Sequence, residues 1–172
     1  MKHLFWLDME MSGLDHTKER ILEVALIVTD LSFNTLKEYE TIVYQDESIL
    51  NGMDAWCTEQ HGKSGLTAKV PQGRPEKEVE KELIEIIKQY SVGEKAILAG
   101  NSIGQDRKFI DQWMPKLANT LHYRMLDVSS FKVVFEGIHN KKYDKKHKHR
   151  AVEDILESIE ELKFYLQFVK LN

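Results

Sequence analysis

Cysteine is almost absent from this sequence, since Cys57 is the single one among 172 residues. One cysteine cannot form a disulfide within the chain, and it cannot supply a cysteine-rich zinc site. Both exclusions are typical of a reducing compartment, so we expect a cytoplasmic protein. The Cys57 thiol is itself expected to belong to a small buried or half-buried side chain.

Glycine, proline and long apolar runs are scarce as well. With 9 glycines and 3 prolines, the chain is neither collagen-like nor of low complexity. The apolar run at residues 3–7 ends at Asp8, which makes it too short for a signal-peptide core, and no run approaches a membrane span. The length predicts a single domain over residues 1–172 that is large enough to bury a substantial core.

Positive charge is not in excess either. The 24 Lys and Arg residues stand against 28 Asp and Glu, which gives a formal net charge of −4. Proteins that coat long DNA or RNA neutralise many phosphates, so this charge disfavours that class. It does not exclude a nuclease that holds its substrate locally, over a few phosphates.

The hydrophobic pattern predicts an α/β fold. Apolar, β-branched runs at residues 3–8, 21–29 and 36–44 predict three strands, the third toward a sheet edge. Shorter strands are expected at 96–99 and 123–126. Helices are expected after Pro75, from about 105 to before Pro115, and over about 151–169. The apolar stripe of the last helix is expected to consist of Val152, Ile155, Ile159, Leu162, Leu166 and Val169. Strands followed by helix–strand–helix alternation predict a mixed sheet of about five strands flanked by helices.

Two carboxylates end the first strand. Asp8 and Glu10 are two residues apart, so in a strand they share a face. Because like charges in a poorly solvated place repel each other, a divalent cation is one way to compensate them. The alternative from this motif alone is a solvated pair where the strand leaves the core.

Two further polar sites lie at helix starts. Asp106 follows a glycine-punctuated turn after a strand, where open α/β sheets tend to hold their sites; alternatively it is a first-turn acid that favours the helix dipole. His149 precedes Asp154 by five residues at the start of the last helix. Asp154 is expected beside the apolar stripe, near enough to line a cleft. The simpler reading is a capping acid and a loop histidine.

These residues share a chemistry. Four carboxylates without cysteine suit hard cations such as Mg²⁺ or Mn²⁺. Two such ions, roughly 3.5–4 Å apart, stabilise the attacking and leaving oxygens of a phosphoryl displacement. A histidine with an ordinary pKa near 6.5 can deprotonate the attacking water.

The set resembles the DEDDh 3′→5′ exonucleases, and the whole chain is similar to their oligoribonuclease family, which degrades very short RNA. The resemblance runs in the family's order from residue 6 to about residue 166. It is carried by WLDMEMSGL (6–14), MDAWCT (53–58) with His61 and SGL (64–66), GNSIGQDR (100–107), HYR (122–124), DVS (127–129) and DI followed by ESI (154–159).

The resemblance implies an RNase H-like exonuclease fold, two Mg²⁺ or Mn²⁺ ions, and a homodimer. It implies His149 as the general base and Asp8, Glu10, Asp106 and Asp154 as the metal ligands. It also implies roles in substrate binding. Leu14, Trp56 and His61 would contact the bases, Tyr123 would come from the partner subunit, and Ser102, Arg124 and Ser129 would hold a terminal 5′ phosphate, with Arg124 crossing the dimer interface.

The side-chain types are compatible with these roles. Trp56 and Tyr123 offer flat faces for stacking, although core packing is an equally ordinary role for Trp56. The planar fork of Arg124 can bond two phosphate oxygens, although a plain surface cation is also common. The basic segment at 137–148 is either a solvated loop or an electrostatic guide for an anionic substrate.

The sequence therefore predicts a metal-dependent 3′→5′ exoribonuclease that degrades short oligoribonucleotides, dinucleotides above all, to nucleoside 5′-monophosphates. The alternative is a related DEDDh exonuclease that trims DNA or longer RNA ends. A catalytically silent binding module with the same fold is a further possibility, and the intact carboxylate set argues against it.

Overall fold

The computed structural model describes residues 2–91, 93–144 and 150–169. These residues form one mixed sheet of five strands in the order β3-β2-β1-β4-β5. The strands are β1 (His3–Met11), β2 (Ile21–Asp30), β3 (Thr35–Ile42), β4 (Leu98–Gly100) and β5 (Leu126–Asp127). The first three pair antiparallel, whereas β4 pairs parallel with β1 and with β5. The predicted mixed sheet, with the third strand at an edge, is confirmed.

The helices occupy the connections and the C-terminal part of the described chain. They are α1 (Glu47–Asn51), α2 (Ala55–Lys63), α3 (Leu66–Lys69) with a 3₁₀ turn at Val70–Gln72, α4 (Glu76–Tyr90), α5 (Gly104–Trp113), α6 (Pro115–Ala118), α7 (Val128–His139) and α8 (Ala151–Leu166). Among the described helices, none is long and apolar enough to cross a membrane.

The sheet separates two apolar layers. On one face, Phe5, Leu7 and Met9 of β1 pack with the apolar residues of α4, α5 and α6. On the other face, Leu4 and Trp6 pack with the apolar residues of α8. Successive residues of a strand point to opposite faces, so β1 contributes to both layers. The carboxylates that follow Trp6 in this alternation therefore face α8.

The structure corrects several sequence expectations. The region between β3 and α4 contains three short helices that the sequence did not predict. Cys57 is buried there as expected, in an apolar cluster that includes Leu22. The strand expected at 123–126 is Leu126–Asp127 instead. The segment at 137–148 was treated as a loop, but α7 continues through His139.

The last helix also differs from its predicted apolar stripe. Leu166 and Val169 were expected to be buried, but both are exposed, and Tyr165 is buried in their place. The Tyr165 ring stacks on Phe135 of α7 with centroids 5.2 Å apart. Because the sequence pattern does not predict α7, the turn of the buried face of α8 toward that helix could not be predicted either.

Candidate active site

Three carboxylates lie close together between strand β1 and the first turn of α8. Asp8 and Glu10 lie on the α8 face of β1, and Asp154 lies in the first turn of α8. One carboxylate oxygen from each lies within 4.8 Å of the other two. The strand alternation and the helix register that the sequence predicted are thus both realised, and they bring these acids together.

The fourth predicted acid, Asp106, lies in the first turn of α5 and is not among the three carboxylates within 4.8 Å of one another. Its Oδ1 accepts a hydrogen bond, at 3.0 Å, from the backbone N–H of Met9, which is the residue between Asp8 and Glu10. A Cβ on Gly100 would lie 2.8 Å from the Leu7 carbonyl oxygen, so glycine lets β4 approach β1 this closely. Asp106 is buried, and it lies near enough to the cluster for its charge to raise the pKa of Glu10.

The electrostatics of the cluster favour a cation. Burial, followed by the charges of Asp154, Glu23 and Asp106, raises the pKa of Glu10 to about 8, against a smaller lowering by Arg150. Burial likewise raises the pKa of Asp106 to about 7, against the hydrogen bond from Met9. Removing solvent and adding like charges both penalise the ionised forms, and a bound cation offsets both costs. Because all the donors are carboxylate oxygens, the set fits a hard divalent cation.

A group of hydroxyls lies at the neighbouring strand ends. Ser102 has a left-handed backbone, with φ of 51°, and its N–H donates to Asp127 Oδ1 at 3.0 Å and to Ser129 Oγ at 2.9 Å. The Ser102 and Ser129 hydroxyl oxygens are 3.0 Å apart. The structure therefore brings together two of the predicted phosphate-binding residues.

The residues expected at the bases differ in exposure. Leu14 and Trp56 are 79% and 63% exposed, which is compatible with contact to a ligand. His61 is buried: its Nε2 donates to the Met11 carbonyl at 2.8 Å, and its Nδ1 lies 4.0 Å from Glu10. His61 thus adjoins the carboxylate cluster. Gln105, which the sequence did not single out, donates to the Leu14 carbonyl at 2.6 Å.

Tyr123 and Arg124 lie together on the exposed segment between α6 and β5. Tyr123 is 74% exposed, and its ring stacks on His122 with centroids 4.5 Å apart. The Arg124 guanidinium lies 5.3 Å from the Tyr123 ring centroid, while its backbone N–H donates to His122 Nδ1. Both side chains are therefore presented outward, as a role at another subunit would require.

His149, the predicted base, lies outside the described residues. Its chain neighbour Arg150 is described, and it forms an ion pair with Glu23 of β2. Glu23 was not predicted as a functional residue, because the apolar pattern of residues 21–29 indicates only a buried strand. A lone acid inside such an apolar run was the signal that could have identified it.

The fold and the clustered carboxylates define a nuclease-type domain, and comparisons with known proteins agree. The family model RNase_T, described as an exonuclease, matches residues 5–162. An oligoribonuclease of Hydrogenovibrio crunogenus is 45% identical over 96% of this chain and 92% of its own length. One of Neisseria meningitidis is 44% identical over 95% and 90%. The chain therefore belongs to the exonuclease family and, within it, to the oligoribonucleases.

Solved structures resemble the fold. Exonuclease I from Methylocaldum szegediense superposes with a TM-score of 0.75 at 16% identity. An E. coli exonuclease I structure, in complex with a 5cy-dT13 oligonucleotide, gives a TM-score of 0.78 at 11% identity. Each match covers 98% of this chain but 41% of the other, so this chain spans less than half of those enzymes. The predicted exonuclease fold and the predicted nuclease family are confirmed.

Proposed function

We propose that this chain is a metal-dependent 3′→5′ exoribonuclease that hydrolyses very short oligoribonucleotides, dinucleotides above all, to nucleoside 5′-monophosphates. The observation that carries the proposal is the carboxylate cluster of Asp8, Glu10 and Asp154, whose oxygens lie within 4.8 Å of one another. It occurs in a chain that aligns over 96% of its length with an oligoribonuclease. In the overall reaction, water adds to phosphorus, the bond to the leaving 3′ oxygen breaks, and that oxygen gains a proton.

We propose that Asp8, Glu10, Asp106 and Asp154 together hold two Mg²⁺ or Mn²⁺ ions. When bound, such ions stabilise the charge that develops on the attacking and leaving oxygens. The raised pKa of Glu10, caused first by burial, supports the need for a cation at this point. His149 is proposed to take the proton of the attacking water. Its place in the sequence, directly before the start of the helix that bears Asp154, supports this role.

The substrate-binding residues are proposed in two groups. Leu14 and Trp56, both exposed, and His61, which adjoins Glu10, would bind the bases. Ser102 and Ser129, whose hydroxyls are 3.0 Å apart, would hold the terminal 5′ phosphate together with Arg124. A site that binds both ends of a substrate in this way would favour the shortest chains, because a longer chain cannot place its 5′ phosphate there.

We propose that the enzyme is a homodimer in which Tyr123 and Arg124 reach the partner's active site. Exposed apolar side chains on α7 support such an interface, since Val133 and Ile138 are 72% and 73% exposed. Mixing Asp8→Ala and Arg124→Ala proteins should then restore activity, because one site of the mixed dimer would keep both functional residues. Heterodimers that form and remain inactive would contradict the shared site.

We further propose that residues 1–172 act as one exonuclease domain, and that the enzyme works in the cytoplasm. The first proposal is supported by the family match over residues 5–162, and the second by the free, buried thiol of Cys57.

The test is a ladder of 5′-phosphorylated RNAs of two to seven nucleotides, assayed with Mn²⁺ and separated by length. We expect the highest rate on the dinucleotide, with nucleoside 5′-monophosphates as products. Asp154→Asn is the matched inactive variant. A rate that rises with length, or a preference for DNA, would instead favour an exonuclease that trims longer ends.

A further inference from the structure

An additional acid lies next to the carboxylate cluster without belonging to it. Glu23 stands directly opposite Glu10 in the pairing of β1 with β2. Its side chain is only 2% exposed, although it bears a carboxyl group. A buried carboxylate is costly unless it is paired, and here it also adds a like charge that raises the pKa of Glu10. Such a residue requires a specific partner.

That partner is the start of α8. Arg150 is the residue that precedes the first turn of this helix, and its Nη2 lies 3.6 Å from Glu23 Oε1 and 3.3 Å from Glu40 Oε1. Burial raises the pKa of Glu23, whereas the Arg150 guanidinium and the backbone N–H of Ala151 lower it. Glu23 therefore faces both the side chain and the first backbone N–H of the helix start, where a negative charge is favourable.

The consequence concerns Asp154. It lies four residues after Arg150, about one helical turn, and its backbone N–H donates to the Arg150 carbonyl at 2.9 Å. A shift of Arg150 along or around the helix axis would therefore move Asp154 relative to Asp8 and Glu10. Glu23 and Glu40 hold Arg150 from two different strands, so they fix the helix start to the sheet that carries the other two acids.

We propose that Glu23 is a positioning residue for hydrolysis: through Arg150 it fixes the first turn of α8 and so holds Asp154 against Asp8 and Glu10. This inference rests on the proposed metal-dependent function. Side chains that orient metal ligands from outside the ligand set typically contribute 10–100-fold to metal affinity or activity, and Glu23 is assigned an effect of that size.

The test is a double-mutant cycle of Glu23→Gln, Arg150→Met and the combined variant. Activity on a diribonucleotide gives kcat and KM, and calorimetric titration of the substrate-free protein with Mn²⁺ gives a metal affinity. Each single variant should lower kcat and Mn²⁺ affinity by about 10-fold or more, with KM changed much less. Because both residues act through one contact, the combined variant should lose no more than the worse single variant.

Further outcomes distinguish this positioning role from a direct effect of Glu23 on the metal site and from a purely structural role. Glu38→Gln removes an exposed acid from the same β3 strand as Glu40 and should change neither quantity. Losses that multiply in the combined variant would overturn the proposal, because Glu23 would then act on the metal site independently of Arg150. A lower melting temperature with unchanged kcat and Mn²⁺ affinity would also overturn it, since the role would be structural only.

A conservative variant keeps the test decisive where Glu23→Gln does not fold. Arg150→Lys retains the charge but not the guanidinium that reaches both acids, so its kcat should lie between those of the original protein and Arg150→Met. Equal kcat values for all three would refute the proposal. If the unmodified protein is inactive on diribonucleotides while the Mn²⁺ affinities follow the expected cycle, the proposed function fails and the positioning role stands.

Discussion

The two faces of strand β1 differ in composition, although the same two-residue alternation of side chains generates both. Phe5, Leu7 and Met9 on one face are all apolar and all buried among α4, α5 and α6. On the other face Leu4 and Trp6 are apolar, and then the pattern changes to Asp8 and Glu10. One face is core from Phe5 to Met9, whereas the other is core for two residues and carries acids of the proposed active site at the next two.

This difference shows that the site depends on a few side chains of one sheet face and not on a special backbone structure. Period-2 alternation and a crossing helix are common to both faces, so they do not by themselves make a site. The site arises where acids replace apolar residues and where α8 supplies Asp154 at the same level. We therefore expect stability and activity to separate cleanly between adjacent residues of β1.

The largest effect is expected on the acidic half. Asp8→Asn preserves shape but removes one charge from the cluster, so the rate of dinucleotide hydrolysis should fall by about 10³-fold or more. Thermal melting should be unchanged or higher, because like charges repel in the substrate-free protein. Asp111→Asn, which alters a surface pair with Arg107, is the control and should change neither rate nor melting. Retained activity in Asp8→Asn would remove it from the catalytic set.

The neighbouring residue on the opposite face should behave in the reverse way. Leu7→Ala leaves a cavity among α4 and α5 and should lower the free energy of unfolding by about 3 kcal/mol. For a chain of this size, that corresponds to a fall in melting temperature of about 6–12 °C. Urea unfolding and the rate per folded molecule are the measurements. A large fall in that rate, with the protein still folded, would show that the two faces are not independent.

Side-chain positions were predicted best where a single repeat, such as the two-residue period of a strand, determines which face a residue takes. Asp8 and Glu10 share a face because they are two residues apart in a strand, and in the structure they lie near Asp154. Prediction failed for α7, because no helix was predicted over Val128–His139. The Asp127 side chain caps that helix by accepting the Ser129 N–H, a local signal that its apolar pattern obscured.

Contacts between residues that are far apart in the chain could not be predicted from the sequence. The acid at Glu23 was visible in its apolar strand, but its contact with Arg150 depends on how α8 crosses the sheet. The same is true of Gln105 and the Leu14 carbonyl, which meet only because α5 and the loop after β1 adjoin. Family resemblance supplied the proposed catalytic residues, whereas these supporting contacts required the structure.

The smallest effect is expected at the boundary between core and site on the α8 face. The indole N–H of Trp6, which is fully buried, donates to the Thr29 hydroxyl at 3.0 Å. Trp6→Phe or Thr29→Val each leaves the other group buried without its partner and should cost about 1–2 kcal/mol of unfolding free energy.

The combined variant Trp6→Phe with Thr29→Val locates that boundary. Replacing both partners removes the unpaired group, so the double variant should cost less than the sum of the single variants in urea unfolding. The hydrolysis rate should stay unchanged in all three, because Trp6 precedes the first acid of the cluster by two residues on the same face. Strictly additive losses would mean that the hydrogen bond contributes nothing. A parallel fall in kcat at full folding would extend the site to Trp6, since the indole would then be holding β1 in the register that Asp8 requires.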